Sequence, residues 1–284
     1  MTPVDPDQFR AESREAWERN AADWGRNADR QHEWAVEVSA TMVDALAPQP
    51  GDRVLELAAG PGDTGFMAAE LIEPGGTLIC SDGAQAMLEV ARERAAAQRI
   101  RNVEFRVLDL EWIDMETASV DAVLCRWGLM LVIDPGAAAR EIRRVLRPGG
   151  RAALAVWDAP ERNPWTTIPM AALRAQPGVP APDPESPGMF SLAADGALSE
   201  LLENAGFVDV RIGTVTLVRR VASAEEWLQE TLSISPVRRE LFAGLDAAAQ
   251  SDVRARIAEQ AASFTDEDGS LVLPGSSLVA SASA

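Results

Sequence analysis

The sequence predicts an α/β fold in which a mostly parallel sheet is covered by helices on both faces. Between residues 53 and 157, short apolar segments alternate with segments of helical length. The apolar segments are continuous rather than alternating with polar residues, as expected for strands buried on both faces. Clusters of Pro and Gly separate many of these segments and predict the turns.

The individual elements follow from the same pattern, with strands first and helices between them. Strands are predicted at 54–57, 77–80, 103–108, 120–125 and 151–157, and helices at 64–71, 84–98 and 137–146. The last of these helices is closed by R-P-G-G, a sharp stop signal. A helix at 198–205, a strand at 206–212 that either continues or turns into 215–221, helices within 224–264 and one or two terminal strands complete the prediction.

Four segments of one continuous domain are predicted from these patterns. Residues 1–47 form an N-terminal helical cap, and residues 48–157 form the ligand-binding core. Residues 158–197 are rich in proline and are interpreted as a loop or lid rather than regular structure. Residues 198–284 return to the core and carry inserted helices.

The amino-acid composition limits the cell compartment and the classes of binding partner that we expect. The net charge of −18 argues against binding to nucleic acid or to an anionic membrane, because both would repel the chain. No apolar run is long enough to span a membrane, and no signal sequence opens the chain. The two cysteines, Cys80 and Cys125, lie in strand segments and favour a reducing cytoplasm. We expect a monomer or homodimer that acts on a small molecule.

Missing residue types exclude several chemistries. All 26 basic residues are arginine, and the chain has no tyrosine. Lysine Schiff-base chemistry and a phosphate-loop lysine are therefore excluded. His32 is the single histidine, so a multi-histidine metal centre is excluded as well, and no metal site is predicted.

The ends of the first three strands carry the residues that predict a nucleoside site. Gly60 and Gly62 follow the first strand in E-L-A-A-G-P-G, and glycine lets a backbone turn approach a ligand closely. Asp82 follows Gly60 by 22 residues, the offset expected for a carboxylate that accepts ribose hydroxyls. Asp109, after the third strand, could accept from an adenine amino group, with Leu110 and Trp112 as apolar contacts for the ring.

These motifs resemble those of class I S-adenosylmethionine-dependent methyltransferases, of the small-molecule branch that includes ubiquinone and menaquinone methylation enzymes. The resemblance covers residues 53–157 and also fits residues 206–221 and the last dozen residues. The matching motifs, in order, are V-L-E-L-A-A-G-P-G-D, S-D-G-A-Q-A-M-L, V-E-F-R-V-L-D-L-E, V-D-A-V-L-C-R-W-G-L-M and R-E-I-R-R-V-L-R-P-G-G-R.

The resemblance implies a Rossmann-like, seven-stranded sheet that binds S-adenosyl-L-methionine and releases S-adenosyl-L-homocysteine. It implies that Glu56 anchors the glycine loop or engages the amino group of the cofactor. Cys125 and Arg126 would lie near its methionine end. The residues that the resemblance and the spacing together assign to the cofactor are Glu56, Ala58, Gly60, Gly62, Asp82, Gly83, Met87, Asp109, Leu110, Cys125 and Arg126.

The acceptor side is less determined by sequence. Aromatic and apolar candidates for an acceptor pocket, which core packing explains equally well, are Trp24, Trp34, Trp127, Met130 and Trp157, with Trp165 and Phe190. Arg126 either pairs with a structural carboxylate or orients an anionic acceptor. His32 is a candidate general base, although a lone histidine is more often a surface or packing residue, and an acid in the cap could serve instead.

The function predicted is in-line methyl transfer to oxygen, nitrogen or carbon of a small, largely apolar acceptor. Two alternatives come from other classes. One is a catalytically silent protein of the same fold that binds the cofactor as an accessory subunit. The other is an NAD-dependent oxidoreductase, which is disfavoured because the chain lacks a Tyr–Lys pair and carries G-P-G-D in its loop.

Overall fold

A computed structural model describes residues 5–179 and 187–284 of the chain. Seven strands within these ranges form one sheet. They are β1 (Arg53–Leu57), β2 (Thr77–Asp82), β3 (Val103–Val107), β4 (Val120–Arg126), β5 (Leu146–Trp157), β6 (Val208–Val221) and β7 (Leu271–Ser283). Their order across the sheet is β3-β2-β1-β4-β5-β7-β6.

The helices of the described residues connect these strands or precede them. They are α1 (Pro6–Leu46), α2 (Asp63–Leu71), α3 (Gln85–Gln98), α4 (Pro135–Val145), α5 (Pro164–Arg174), α6 (Ala197–Asn204), α7 (Ala224–Ser233), α8 (Pro236–Ala243) and α9 (Ala247–Ala261). Short 3₁₀ helices lie at Leu129–Leu131, Pro160–Arg162 and Ala262–Phe264.

The predicted α/β fold with a mostly parallel sheet is confirmed. Strands β1 to β5 pair in parallel, and β7 pairs antiparallel to β5. In β1 four of five residues are buried, as are most residues of β2 and β4. The register pairs Leu57 with Cys125 and Asp82 with Val107, so the polar residues that follow these strands meet at one edge of the sheet.

The N-terminal helix α1 is a single element of 41 residues. Asp5 caps it by accepting hydrogen bonds from the backbone N–H groups of Asp7 and Gln8, and Pro6 occupies a first-turn position that needs no donor. Its buried residues begin at Ala21 and become dense toward Leu46. The second half of α1 is therefore part of the core, whereas the residues before Ala21 are exposed or half-buried.

One feature of the C-terminal half differs from the sequence-based expectation, and two alternatives that the sequence left open are decided. The proline-rich region holds helix α5, where no regular structure was predicted. Pro164 fits the first turn of that helix, and buried Trp165, Thr166 and Leu173 hold it by packing. Residues 208–221 form the one long strand β6, so the predicted strand continues rather than turns, and the chain ends in one strand, β7, rather than two.

The described residues divide into two compact units with boundaries that differ from the predicted segments. The first contains the residues up to Asp158 together with Pro187–Val215 and Ser277–Ala284. The second contains the residues from Ala159 to the gap together with Thr216–Ser276. Within the second unit, buried Arg219 pairs with buried Glu230, and the Trp227 indole donates to the carbonyl of Trp165.

None of the helices in the described ranges combines the length and the apolar character that a membrane crossing needs.

Candidate functional site

A cavity of about 190 Å³ opens in the first unit, beyond the carboxyl ends of β1, β2 and β4. This volume exceeds the roughly 150 Å³ of an engineered apolar cavity that admits benzene, so the space suits an organic ligand. The cavity is lined by loop residues after β1 to β4 and by one face of α1. Ligands of open parallel sheets bind at this edge.

Asp82 holds the glycine loop in place. Its two carboxylate oxygens accept hydrogen bonds from the backbone N–H groups of Gly60 and Ala84, each at 2.9 Å. Burial raises the pKa of Asp82, and these backbone donors oppose that effect. Each oxygen keeps a further lone pair, so the carboxylate can still accept from ligand hydroxyls at the cavity wall.

Glu56 is a buried carboxyl group whose bonding is only half satisfied. Its Oε1 accepts from the N–H of Gly65 at 2.9 Å, whereas its Oε2 is buried and has no hydrogen-bond partner among the described residues. Burial is the main cause that raises the pKa of Glu56 to about 8. Since Glu56 also lines the cavity, a cationic ligand group there would satisfy the orphaned oxygen.

The loop after β3 provides a third acidic position. The Asp109 Oδ1 accepts from the N–H of Glu111 at 2.8 Å, and Asp109 and Leu110 both line the cavity. Trp112, predicted as a further contact for a base, is 75% exposed and does not line it. That prediction was wrong because the chain turns after Asp109, with the Trp112 N–H bonded back to the Asp109 carbonyl.

The first half of α1 forms a cavity wall that the sequence analysis missed. Phe9, Ser13 and Trp17 line the cavity and follow one another every four residues, so they share a helix face. Arg10 binds Glu111 through two nitrogens, at 2.8 and 3.1 Å. Arg14 lies 3.7 Å from the Asp109 Oδ2. The placement of Phe9 and Trp17 eight residues apart, on one face of a predicted helix, was the signal that could have identified this wall.

Trp127, which lines the cavity directly after β4, is held in an unusual backbone conformation. Its φ of 58° is in the left-handed region, which bulky residues rarely adopt. The backbone N–H donates to the Ala155 carbonyl at 2.8 Å, and the indole N–H donates to the Ser277 hydroxyl at 3.0 Å. The Trp157 ring stacks on it at 4.1 Å between centroids. These contacts fix the indole within the wall.

The predicted acceptor residues divide into two groups. Trp24 and Trp127 line the cavity, whereas Trp34, Met130 and Trp157 do not. Trp34 stacks at 5.5 Å from Trp127 and 5.7 Å from Trp157, so these residues support the wall. Trp165 belongs to the second unit and donates to Asn163, and Phe190 is half-buried in the first unit. A direct role in acceptor binding stays a prediction for all seven.

Buried Asp63, to which the sequence analysis assigned no role, joins three elements by charge. Its Oδ1 is 2.7 Å from an Nη atom of Arg94 and 3.7 Å from the Nδ1 of His32. Its Oδ2 is 3.9 Å from an Nη atom of Arg126. His32 does not line the cavity, and its Nδ1 has no hydrogen bond among the described residues. The catalytic role of His32 stays a prediction.

Some of the remaining cofactor candidates line the cavity, and others do not. Ala58, Gly60, Gly83, Met87 and Arg126 line it, whereas Gly62 and Cys125 do not.

Gly62 and Cys125 have structural settings instead. Gly62 caps α2 at a φ of 90°, where a side chain would overlap the Phe66 ring. Cys125 is fully buried, and burial raises the pKa of its thiol to about 12. A nucleophilic thiolate at Cys125 is therefore disfavoured at neutral pH. Within the described ranges, no cluster of His, Cys, Asp or Glu has the arrangement of a metal site.

Comparison with known proteins points to one family. A family model described as a methyltransferase domain matches residues 57–154. Nocamycin O-methyltransferase of Saccharothrix syringae is 32% identical over 200 residues, which cover 66% of this chain and 70% of that protein. Demethylmenaquinone methyltransferase of Clavibacter sepedonicus is 38% identical over 116 residues, which cover 41% of this chain and 45% of that protein. The chain spans about half the length of most of the curated relatives it matches.

A solved structure supports the fold. The YcgJ protein of Bacillus subtilis superimposes with a TM-score of 0.58 at 18% identity, covering 86% of this chain and 97% of that protein. At this identity the similarity concerns the fold alone. The O-methyltransferase relative, in agreement with the family model, shows that the chain belongs to the small-molecule branch of the class I S-adenosylmethionine-dependent methyltransferases.

Proposed function

We propose that this protein is an enzyme that transfers the methyl group of S-adenosyl-L-methionine to oxygen, nitrogen or carbon of a small, largely apolar acceptor. One observation carries the proposal. Three carboxylates at the ends of neighbouring strands line a single cavity, and the buried Oε2 of one of them, Glu56, lacks a partner among the described residues.

The residues present fit the cofactor. Its ammonium group would satisfy the orphaned Oε2 of Glu56, and its ribose hydroxyls would donate to Asp82. Asp109 offers an acceptor for the adenine amino group, and Leu110 and Met87 offer apolar contact for the ring. When bound, the cofactor supplies a methyl group on an electrophilic sulfonium.

The cavity lining after β4 supports an apolar acceptor. Trp127, Leu131, Val132 and Ile133 line the cavity with little polar surface of their own. Their tasks in the proposed reaction are to exclude water and to orient the acceptor for in-line approach. The relatives that carry names include both an O-methyltransferase and C-methyltransferases, so the family leaves the acceptor atom open.

A cofactor-binding protein without turnover is the second candidate. The intact carboxylates support cofactor binding and say nothing of catalysis, so they are compatible with both candidates. The α1 wall, with its Arg10–Glu111 and Arg14–Asp109 pairs, encloses the cavity beside Asp109 and favours a site that also shields a reaction from water.

Calorimetric titration with S-adenosyl-L-methionine, S-adenosyl-L-homocysteine and NAD tests the proposal. Micromolar binding of the first two, about −8 kcal/mol, with no binding of NAD, is expected. Binding of NAD alone would contradict the cofactor assignment. Incubation with labelled cofactor and a panel of quinols, phenols and amines then separates the enzyme from the accessory protein, because only the enzyme transfers label.

A further inference from the structure

Arg126 is a buried cation with weak compensation. Its side chain is 11% exposed and lines the cavity, and no hydrogen bond to its guanidinium is found within the described residues. The nearest carboxylate oxygen belongs to Asp63, at 3.9 Å. Burial lowers the pKa of Arg126, and the carboxyl groups of Asp63 and Glu56 oppose that effect. A buried charge of this kind normally has a closely bonded partner.

Asp63 is already paired with another arginine, Arg94. Its Oδ1 is 2.7 Å from Arg94, which also reaches Asp29 at 2.7 Å. Asp63 therefore bonds one arginine closely and faces Arg126 across a longer gap. Arg94 is thus closely paired with two carboxylates, whereas Arg126, on the side that lines the cavity, has none within hydrogen-bond distance.

The other arginines of the cavity wall are already engaged. Arg10 forms a two-point contact with Glu111, and Arg14 lies near Asp109. Of the arginines described in this wall, Arg126 is the one with no carboxylate within 3.7 Å. An anion that enters the cavity would meet the least compensated charge at Arg126.

The guanidinium is also positioned against a fixed aromatic surface. The Cζ of Arg126 lies 4.7 Å from the Trp127 ring centroid, a cation–π distance. Trp127 is locked by its two hydrogen bonds and by Trp157, at a backbone conformation that costs about 1–3 kcal/mol. Such strain is retained where the surrounding structure holds a residue for a purpose, and here it places an indole beside a cation.

We propose that Arg126 is a specificity-determining residue that binds the ionised oxygen of an acidic, planar acceptor, an enolate or a phenolate, whose ring packs beside Trp127. This proposal rests on the proposed methyltransferase function and narrows its acceptor class. An acceptor held as its anion has already lost its proton to solvent. The site then needs no general base, which agrees with the position of His32 outside the cavity lining.

The test uses 4-nitrophenol as the ionisable probe and 4-nitroanisole, its methylated counterpart, as the probe that cannot ionise. The full chain is mixed with S-adenosyl-L-homocysteine, and the phenolate absorbance of 4-nitrophenol is followed against pH. Wild-type protein is expected to lower the apparent pKa of the bound probe by about one unit, a tenfold preference for the anion. 4-Nitroanisole is expected to bind about tenfold more weakly than the phenolate at pH 8, as for loss of one charge-assisted hydrogen bond.

Variants at position 126 test whether the Arg126 guanidinium causes the shift in the pKa of the probe. Arg126→Gln is expected to abolish the shift, and Arg126→Lys is expected to keep part of it, because the charge remains without the planar fork. Arg92→Gln is the matched control, since Arg92 also covers an aromatic ring, that of Phe105 at 5.0 Å, but lies outside the cavity. The control variant should behave as wild type. Thermal unfolding of each variant verifies that the fold is retained.

Calorimetry with S-adenosyl-L-homocysteine distinguishes the two sources of an anion. Unchanged product affinity in Arg126→Gln, with loss of the phenolate shift, supports the proposal. A tenfold loss of product affinity with the phenolate shift retained would assign Arg126 to the carboxylate of the cofactor and overturn it. Wild-type protein that binds the product but shows no shift also overturns it, while the proposed function survives. Wild-type protein that binds neither cofactor nor product would contradict both the proposed function and the proposed role of Arg126.

Discussion

Two groups of residues in and behind the cavity wall are held in different ways. In the carboxylate group (Glu56, Asp82 and Asp109), each side chain is held by backbone donors in the segments that directly follow strands β1 to β3: Glu56 by Gly65, Asp82 by Gly60 and Ala84, and Asp109 by Glu111. In the aromatic group, Trp127 depends on Ser277, 150 residues away, and on the rings of Trp34 and Trp157. The carboxylate group can keep its geometry while the more distant contacts of the aromatic group change, which suits one cofactor and varied acceptors.

The strongest test of the carboxylate group is the substitution Gly65→Ala. A methyl group at this position would overlap the Glu56 Oε2 and lie 3.1 Å from Leu78, so the carboxyl group must move within a packed core. We expect a loss of about 3 kcal/mol in the free energy of unfolding. Urea unfolding provides the measurement, with Gly213→Ala as the control because its nearest neighbouring atom is 4.0 Å away. Equal stability of the two variants would show that Glu56 is not fixed as described.

Asp82→Ala is expected to have the next largest effect, this time on the cofactor. Removing the carboxylate takes away the proposed ribose acceptor and releases the Gly60 loop. The affinity for S-adenosyl-L-homocysteine should fall by about 1.5–3 kcal/mol in calorimetry. The control is Asp268→Asn, an exposed position of the second unit. Unchanged affinity in Asp82→Ala would contradict the assignment of Asp82.

The pH dependence of cofactor binding sharpens the role of Glu56. Because its pKa is raised to about 8, Glu56 is mainly protonated at pH 7, and the ammonium group of the cofactor binds better to the ionised form. Affinity should therefore rise about tenfold per pH unit below pH 8 and level off above it.

In the variant Glu56→Gln this slope should disappear, because no proton is released on binding. A slope that persists in the variant would assign the pH dependence to another group. The same raised pKa acts on stability in the opposite sense. The folded state binds the proton more tightly than the unfolded state, so the contribution of Glu56 to stability is fully present at acidic pH and is lost as pH rises toward 8.

Trp34→Leu is expected to have the smallest effect, and it tests whether the aromatic group and the carboxylate group are independent. The substitution keeps an apolar side chain but removes the stacking on Trp127 and Trp157, which is worth about 0.5–1.5 kcal/mol. The free energy of unfolding should fall by about 1 kcal/mol, and the affinity for S-adenosyl-L-homocysteine should stay the same. Weaker product binding in Trp34→Leu would mean that the two groups are coupled.

What could be predicted from the sequence follows the same division. The link between Gly60 and Asp82 was visible because its two partners follow neighbouring strands of a predictable parallel sheet. The Asp63 cluster was not visible, since His32, Arg94 and Arg126 come from three separate elements and no spacing relates them. Helix α5 was missed because tertiary burial of Trp165 and Leu173 outweighs the high local proline content.

The length of α1 has a consequence for the dynamics of the site. One continuous helix supplies both an outer wall of the cavity, through Phe9 to Trp17, and a core segment, through Val38 to Leu46. The core segment of this helix is largely buried, whereas most residues of its first turns are exposed. Amide hydrogen exchange should therefore show a gradient along this single helix, fast in its first turns and slow in its last. Fraying of the first turns would admit ligands while the sheet and its packed helices stay intact.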